Sequence, residues 1–320
     1  MSNEYAITMK NVSKEFKVLN RHEGLRGSIK DLFSRDYNIV KAVNDISIEI
    51  PKGQIVGYLG PNGAGKSTTI KMMTGVLEPS AGEIVVNGVI PHKNRTKNAE
   101  NIGVVFGQRS QLWWALPLIE SFKLLKDIYM INDKDYNEMM DLYHSLVDIE
   151  PLLHKTVRQM SLGQRTLSDI LAAFLHNPEI VFLDEPTIGL DVSMKNKIRE
   201  LILGLNQKKN TTVILTTHDM GDVDALCERI VIIDKGKMIY DDSSDNLKSF
   251  FGAKRNLKLK TASGDWEEIS VDDNKDDIMQ IIADKNKSEK ITDIKLEELS
   301  TEEIIRHIYE ESASNMKKIG

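Results

Sequence analysis

The sequence predicts an α/β fold, a sheet core with an inserted helical subdomain, followed by a small α+β C-terminal appendage. Three observations predict it. IVGYLG (residues 55–60) is a continuous apolar run stopped by a glycine-rich turn and followed by the helically spaced STTIKMMTGV. IVFLDE (180–185) and TVILTTHD (212–219) are further β-branched-rich runs, separated by a helical pattern through Ile198 to Leu205. Near residue 250 glycine punctuation of this kind stops and the chain becomes densely charged. Apolar runs without alternation read as strands buried on both faces, so parallel strands joined by crossover helices follow.

In chain order, residues 5–10 read as a short strand and VNDISIEI (43–50) alternates like a half-buried one. The stretch between them reads as an irregular insertion. There, Lys17, Arg21, Arg26, Lys30, Arg35 and Lys41 surround Leu25, Ile29, Leu32 and Phe33, a pattern that fits a solvated loop more readily than a segment touching anionic lipid. From Trp113 to Leu153 the apolar positions recur at helical spacing, which predicts a helical subdomain over about residues 109–178. The tail predicts a strand in ITDIKLEEL and a helix opened by Ser300, with Glu303 at capping-box spacing. The expected domains are therefore 1–250 and 251–320.

Composition narrows the class. With 320 residues, 41% of them hydrophobic, the chain can bury a large core without cross-links. A single cysteine, Cys227, excludes an internal disulfide, suits a reducing compartment and reads as a small packing residue. The N-terminal MSNEYAITMK has no signal-like apolar run, and no stretch approaches the roughly 18 apolar residues of a membrane span, so a cytoplasmic protein is expected. A net charge of −6 argues against a general nucleic-acid binder, and no nucleic-acid partner is expected.

The chemistry is carried by Gly60-Pro61-Asn62-Gly63-Ala64-Gly65-Lys66-Ser67, which fits G-x-x-x-x-G-K-[ST] between a strand and a helix. Glycines let the backbone N–H groups curl around phosphates, and the helix N-terminus, continuing through Thr68, adds its positive end. Lys66 supplies a charge for the β and γ phosphates of ATP, and Ser67 a hydroxyl for Mg²⁺. Asp184 and Glu185 end a buried strand, which places a carboxylate for the metal beside one that can polarise the attacking water. His218 ends the next strand, where it is either structural or a contact to the γ-phosphate.

Ser161-Leu162-Gly163-Gln164-Arg165 before the carboxylate strand, and Gly189-Leu190-Asp191 after it, complete an ordered set of motifs that resembles the ABC transporter ATPases over about residues 5–245. VVFGQRSQLWW, SLGQR, HNP and DEPTIGLDV are most similar to a bacterial subfamily that partners ABC-2-type permeases. The resemblance implies an ABC cassette with a mixed-sheet core, an ATPase working as a dimer of cassettes, and a separate integral-membrane permease, more often for export than for uptake. It implies that Gln108 is the Q-loop glutamine that senses Mg²⁺, that Ser161, Gly163 and Gln164 form the signature loop closing over ATP of a second cassette, that Asp191 is the D-loop aspartate and that His218 is the switch histidine. Leu162 departs from the commoner glycine, a variation shared with the subfamily.

For the adenine platform the resemblance favours Tyr37, five residues before Ala42, with Phe16 the alternative and simple packing in the sheet a third reading. Trp113 and Trp114 follow the Q-loop, where they read equally as anchors for a permease segment or as core. A soluble ABC ATPase of translation or DNA maintenance fits less well, since the chain has one cassette and no sustained heptads. A purely regulatory nucleotide-binding module would lack Glu185 and His218, which are present.

Overall fold

The computed structural model describes residues 4–19, 37–107, 110–250, 254–272 and 276–317, and the chain divides into two compact units, residues 1–241 and 242–320.

The first unit holds two sheets. Strands β1 (Tyr5–Leu19), β2 (Tyr37–Pro51) and, after β3 (Ile55–Leu59), β4 (Ala81–Val86) form an antiparallel sheet in the order β2-β1-β4. β1 runs nine residues past the Lys10 end expected from sequence, because Glu15 to Leu19 pair with Lys41 to Tyr37 as a ribbon. Phe16, Val18, Ile39 and Val40 are all exposed there, so the ribbon lacks the inside–outside alternation that marks a half-buried strand. Residues 20–36, with most of the basic cluster, lie outside the described residues.

The second sheet contains β3, β5 (Ile102–Phe106), β6 (Ile180–Asp184), β7 (Thr212–Thr216), β8 (Arg229–Asp234) and β9 (Lys237–Ser243), in the order β5-β6-β7-β3-β8-β9. The pairs β5–β6, β6–β7, β7–β3 and β3–β8 are parallel. Lys235 and Gly236 both have positive φ, the backbone a two-residue hairpin turn demands, so β9 returns beside β8. Every residue of β3 and β7 is buried, which is why these strands read as continuous apolar runs.

Ile7, Ile46, Tyr58, Ile70, Met72 and Phe182 belong to a core shared by both sheets and helix α1 (Lys66–Met73). After α2 (Arg95–Asn101) and β5, the inserted helices α3 (Leu118–Ile128), α4 (Asp133–Leu146), α5 (Glu150–Leu153) and α6 (Leu162–Phe174) occupy the expected stretch. They carry their own packing: Phe122 and Tyr143 rings lie 6.3 Å apart, and the Tyr143 hydroxyl donates to the Leu171 carbonyl of α6. Helices α7 (Val192–Lys209) and α8 (Met220–Leu226) complete the parallel crossovers.

The second unit contains α9 (Ser244–Phe250), β10 (Lys254–Thr261), β11 (Trp266–Asp272), α10 (Ile278–Ser288), β12 (Ile291–Glu298) and α11 (Thr301–Lys317). Its antiparallel sheet, ordered β11-β10-β12, buries Leu257, Leu259 and Val271 against Ile278, Ile281 and Ile282. Ser300 and Glu303 bond reciprocally at the start of α11, the capping box the spacing predicts. The division falls at Asp241, ahead of the composition change near 250, because α9 with its buried Leu247 belongs to this unit.

Candidate functional site

β3 stops at Leu59, and the chain curls through Gly63 at φ +82 and Gly65 at φ +110 before α1 begins at Lys66. Only glycine adopts that path cheaply. A Cβ on Gly65 would lie 2.3 Å from the Ala42 carbonyl oxygen, whereas one on Gly63, beside a small hollow, would meet nothing within 4 Å. The hollow, about 200 Å³, is lined by the loop from Pro61 to Ser67, by Thr68, and by Ala42 and Glu185. Gly60 lies behind it, where a Cβ would meet the Ile233 carbonyl at 2.5 Å.

Lys66 is almost fully buried, with its ammonium donating to the carbonyls of Gly60 at 2.5 Å and Pro61 at 3.2 Å. Burial lowers its pKa, against the pull of Glu185 and Asp184. A backbone-lined cradle with one lysine and a helix N-terminus is a receptor for phosphate oxygens.

A second cleft, about 790 Å³, is lined by Ser67, Lys71, Asp184, Gly107, Ser110, Gln111 and Asp169 among others. Ser67 and Asp184 thus share one wall, a pair of oxygen donors suited to a hard cation that keeps most of its waters. The Thr216 hydroxyl donates to Asp184 and fixes its carboxylate. Gln108 lies outside the described residues, but the residues after it are tied down: the Ser110 hydroxyl and the Gln111 N–H both donate to Asp169 of α6, at 2.9 and 3.1 Å. Burial pushes the Asp169 carboxyl up to about 6.

Glu185 follows Asp184 directly, yet it lines the phosphate hollow, while Asp184 lines the larger cleft. The cause is its backbone. Glu185 sits at φ +53, a left-handed conformation costing a non-glycine residue roughly 1–2 kcal/mol. Its N–H donates to the Thr216 carbonyl at 2.9 Å, which holds the turn in place. The Glu185 carboxylate then lies 2.8 Å from His218 Nε2.

Ser161 and Gln164 form a capping box at the N-terminus of α6, and Lys155 donates to the Gln164 side chain at 3.0 Å. Leu162 is 37% exposed. Gly163 packs on α7: a Cβ there would lie 2.4 Å from Met194. Asp191 caps α7 by accepting from the Met194 N–H at 2.9 Å. No residue of the Ser161–Gln164 loop lines the hollow held by Gly60 to Ser67.

The remaining expectations resolve by position. Trp113 and Trp114 are 38% and 55% exposed, so the core reading fails, and the Arg165 guanidinium sits 4.4 Å from the Trp114 ring centre. Tyr37 pairs with Leu19 at the far end of the ribbon, five residues or about 16 Å of strand from Ala42. Phe16 pairs with Val40, only two residues from it. Cys227 caps α8 and is buried, with its thiol pushed far up by desolvation. Thr216, Asp169 and Asp222 are the residues the motifs do not reveal; Thr216 carries a weak signal as a polar residue ending a fully apolar strand.

This is the site of a nucleotide-binding P-loop protein, with a glutamate and a histidine in contact at its edge. The sequence profile described as "ABC transporter" matches residues 43–188. The chain is 34% identical over 215 residues to the ABC transporter ATP-binding protein NatA of Bacillus subtilis, covering 67% of this chain and 87% of that one. It is 35% identical over 222 residues to the linearmycin resistance ATP-binding protein LnrL of the same organism, covering 69% and 70%. Against ABC transporter A family member 5 of Dictyostelium discoideum, 32% identical over 274 residues, it spans only 15% of that protein's length. Among solved structures, a dimeric post-hydrolysis state of the ATP-binding cassette MJ0796 bound to ADP and Pi superposes with a TM-score of 0.59 at 25% identity, covering 74% of this chain and 98% of that one. The chain belongs to the ABC transporter ATP-binding family: it is an ATP-binding, ATP-hydrolysing subunit of an ABC transporter. Among the described residues no helix is long and apolar enough to cross a membrane.

Proposed function

We propose that this ATPase works as a homodimer at the cytoplasmic face of a membrane, closing on two ATP molecules to drive export through a separate integral-membrane permease. The observation that carries the dimer is the exposed, capped N-terminus of α6, which lines no part of its own chain's phosphate hollow. A second cassette can present that helix end to the γ-phosphate. The relative named for linearmycin resistance supports outward transport, since resistance calls for removing a compound. Trp113 and Trp114 supply exposed aromatic anchors for the permease.

In the closed site Glu185 accepts a proton from the attacking water, and His218 holds that carboxylate in place. Ser67 and Asp184 would hold Mg²⁺, which offsets negative charge on the phosphates when bound. Gln108 is proposed to complete that site. For the base we propose Phe16 in place of Tyr37, because it lies next to the stretch of β2 that reaches the hollow through Ala42.

The test is light scattering of Glu185→Gln with Mg-ATP, beside the wild-type ATPase rate. A dimer that forms only with ATP, together with activity lost in the variant, supports the reading. A variant that stays monomeric at saturating ATP rejects the homodimer.

A further inference from the structure

Asp222, in the first turn of α8, is fully buried, yet no motif assigns it a role. A carboxylate taken out of water costs several kcal/mol unless it is paired and its oxygens are satisfied. Here both oxygens are occupied. One accepts from the Thr187 hydroxyl and, at 2.8 Å, from the Thr217 hydroxyl; the other accepts from Arg199 Nε at 2.7 Å.

The partners come from three segments that bear on the site. Thr187 is two residues past Glu185, on the turn whose backbone is left-handed. Thr217 immediately precedes His218, and its hydroxyl also accepts from the Asp219 N–H at 3.0 Å, so both chain neighbours of the histidine are tied to one point. Arg199 belongs to α7, the helix capped by Asp191, and reaches Asp219 at 3.2 Å as well, while Lys195 one turn earlier also bonds Asp219.

We propose that Asp222, charge-paired with Arg199, is a positioning residue: by gripping Thr187 and Thr217 it sets the Glu185–His218 separation and ties that separation to the helix opened by Asp191. A shift of α7 when a second cassette engages Asp191 then reaches His218 through Arg199 and Asp222. An apolar residue of similar volume would pack with less desolvation cost, so the buried ion pair is there for geometry. The inference rests on the reading of Glu185 and His218 as the hydrolytic pair.

The test is single-turnover and steady-state ATP hydrolysis by the full chain as wild type, Asp222→Asn, His218→Ala and the double variant, with ATP affinity and thermal unfolding measured on each. We expect Asp222→Asn to lose about 10–100-fold in kcat with KM for ATP changed less than twofold, and to cost nothing further in the His218→Ala background. Thr187→Val, which keeps the shape and drops the hydroxyl, covers the case in which Asp222→Asn does not fold; it should lose kcat, and Thr187→Ser should restore it. Losses that multiply in the double variant, or a rise in KM with kcat intact, overturn the proposal. If His218→Ala hydrolyses ATP at the wild-type rate, the hydrolytic pair itself is wrong and the proposal falls with it; if His218→Ala is inactive while Asp222→Asn and Thr187→Val are unaffected, only the proposal falls.

Discussion

His218 Nε2 lies 2.8 Å from Glu185 Oε1. The contact follows from strand register. β6 and β7 are parallel, with Asp184 opposite Thr216, so the residues just past each strand end come together above the same edge. The left-handed turn at Glu185 swings its carboxylate toward the imidazole and the phosphate loop, away from the cleft that Asp184 faces. The imidazole therefore meets the Glu185 carboxylate at the edge of the hollow lined by the Pro61–Ser67 loop.

If that contact sets the base, His218→Ala should lower kcat by about a hundredfold or more, the range associated with a positioned proton-transfer group, and leave ATP affinity within about twofold. Phosphate release gives kcat, and titration calorimetry gives affinity. An unchanged kcat would remove the histidine from the mechanism.

The two glycines of the loop should fail in different ways. Gly65→Ala forces a Cβ to within 2.3 Å of the Ala42 carbonyl at φ +110, so β2 or α1 must move. A lower melting temperature and lost ATP binding are expected together. Gly63→Ala has open space and incurs only the strain of positive φ, roughly 1–2 kcal/mol, but it adds a methyl to a residue that lines the phosphate hollow. It should fold and bind ATP poorly. Thermal unfolding and fluorescent-nucleotide binding separate the two cases.

The base platform has an equally direct check. Stacking on an aromatic ring contributes about 1–3 kcal/mol per base, so Phe16→Ala should weaken ATP binding roughly 5- to 150-fold. Tyr37→Ala, at the far end of the ribbon, should leave it unchanged. The reverse pattern would restore Tyr37, and no effect from either would mean that both simply pack.

What could be read in the sequence, and what could not, divides along physical lines. Backbone-dominated features were legible, because the glycines from Gly60 to Gly65 and the apolar runs at β3, β6 and β7 are local consequences of backbone geometry and double-sided burial. The capping box at Ser300 was legible for the same reason: its partner, Glu303, lies three residues away. The ribbon of β1 and β2 was not, since exposure on both faces erases the alternation that marks a strand. Nor were β10 and β11, whose lysines and glutamates pair across strands, as Lys258 does with Glu297 of β12 at 2.7 Å. Asp222 and Asp169 were hidden because what distinguishes them is burial against partners such as Thr187, Arg199 and Ser110, 23 to 59 positions away. Only the assembled chain shows that a carboxylate on a helix has become an internal anchor.

Asp169 gives a pH signature. Burial raises its folded pKa from an ordinary 3.8 to about 6, so the protonated form favours the folded state. Its stabilising contribution is complete below about 3.8 and is lost as pH rises through about 6. Asp169→Asn keeps an oxygen for the Ser110 hydroxyl and the Gln111 N–H but does not ionise. Relative to wild type the variant should therefore gain on the order of 1 kcal/mol of stability between pH 5 and pH 7.5, measured as the difference in urea unfolding free energy at the two values. Exposed carboxylates cancel in that difference because both proteins carry them. A pH-independent difference would mean that the bonds from Ser110 and Gln111 compensate for burial, and that the carboxylate holds the loop after Gln108 as an anion throughout.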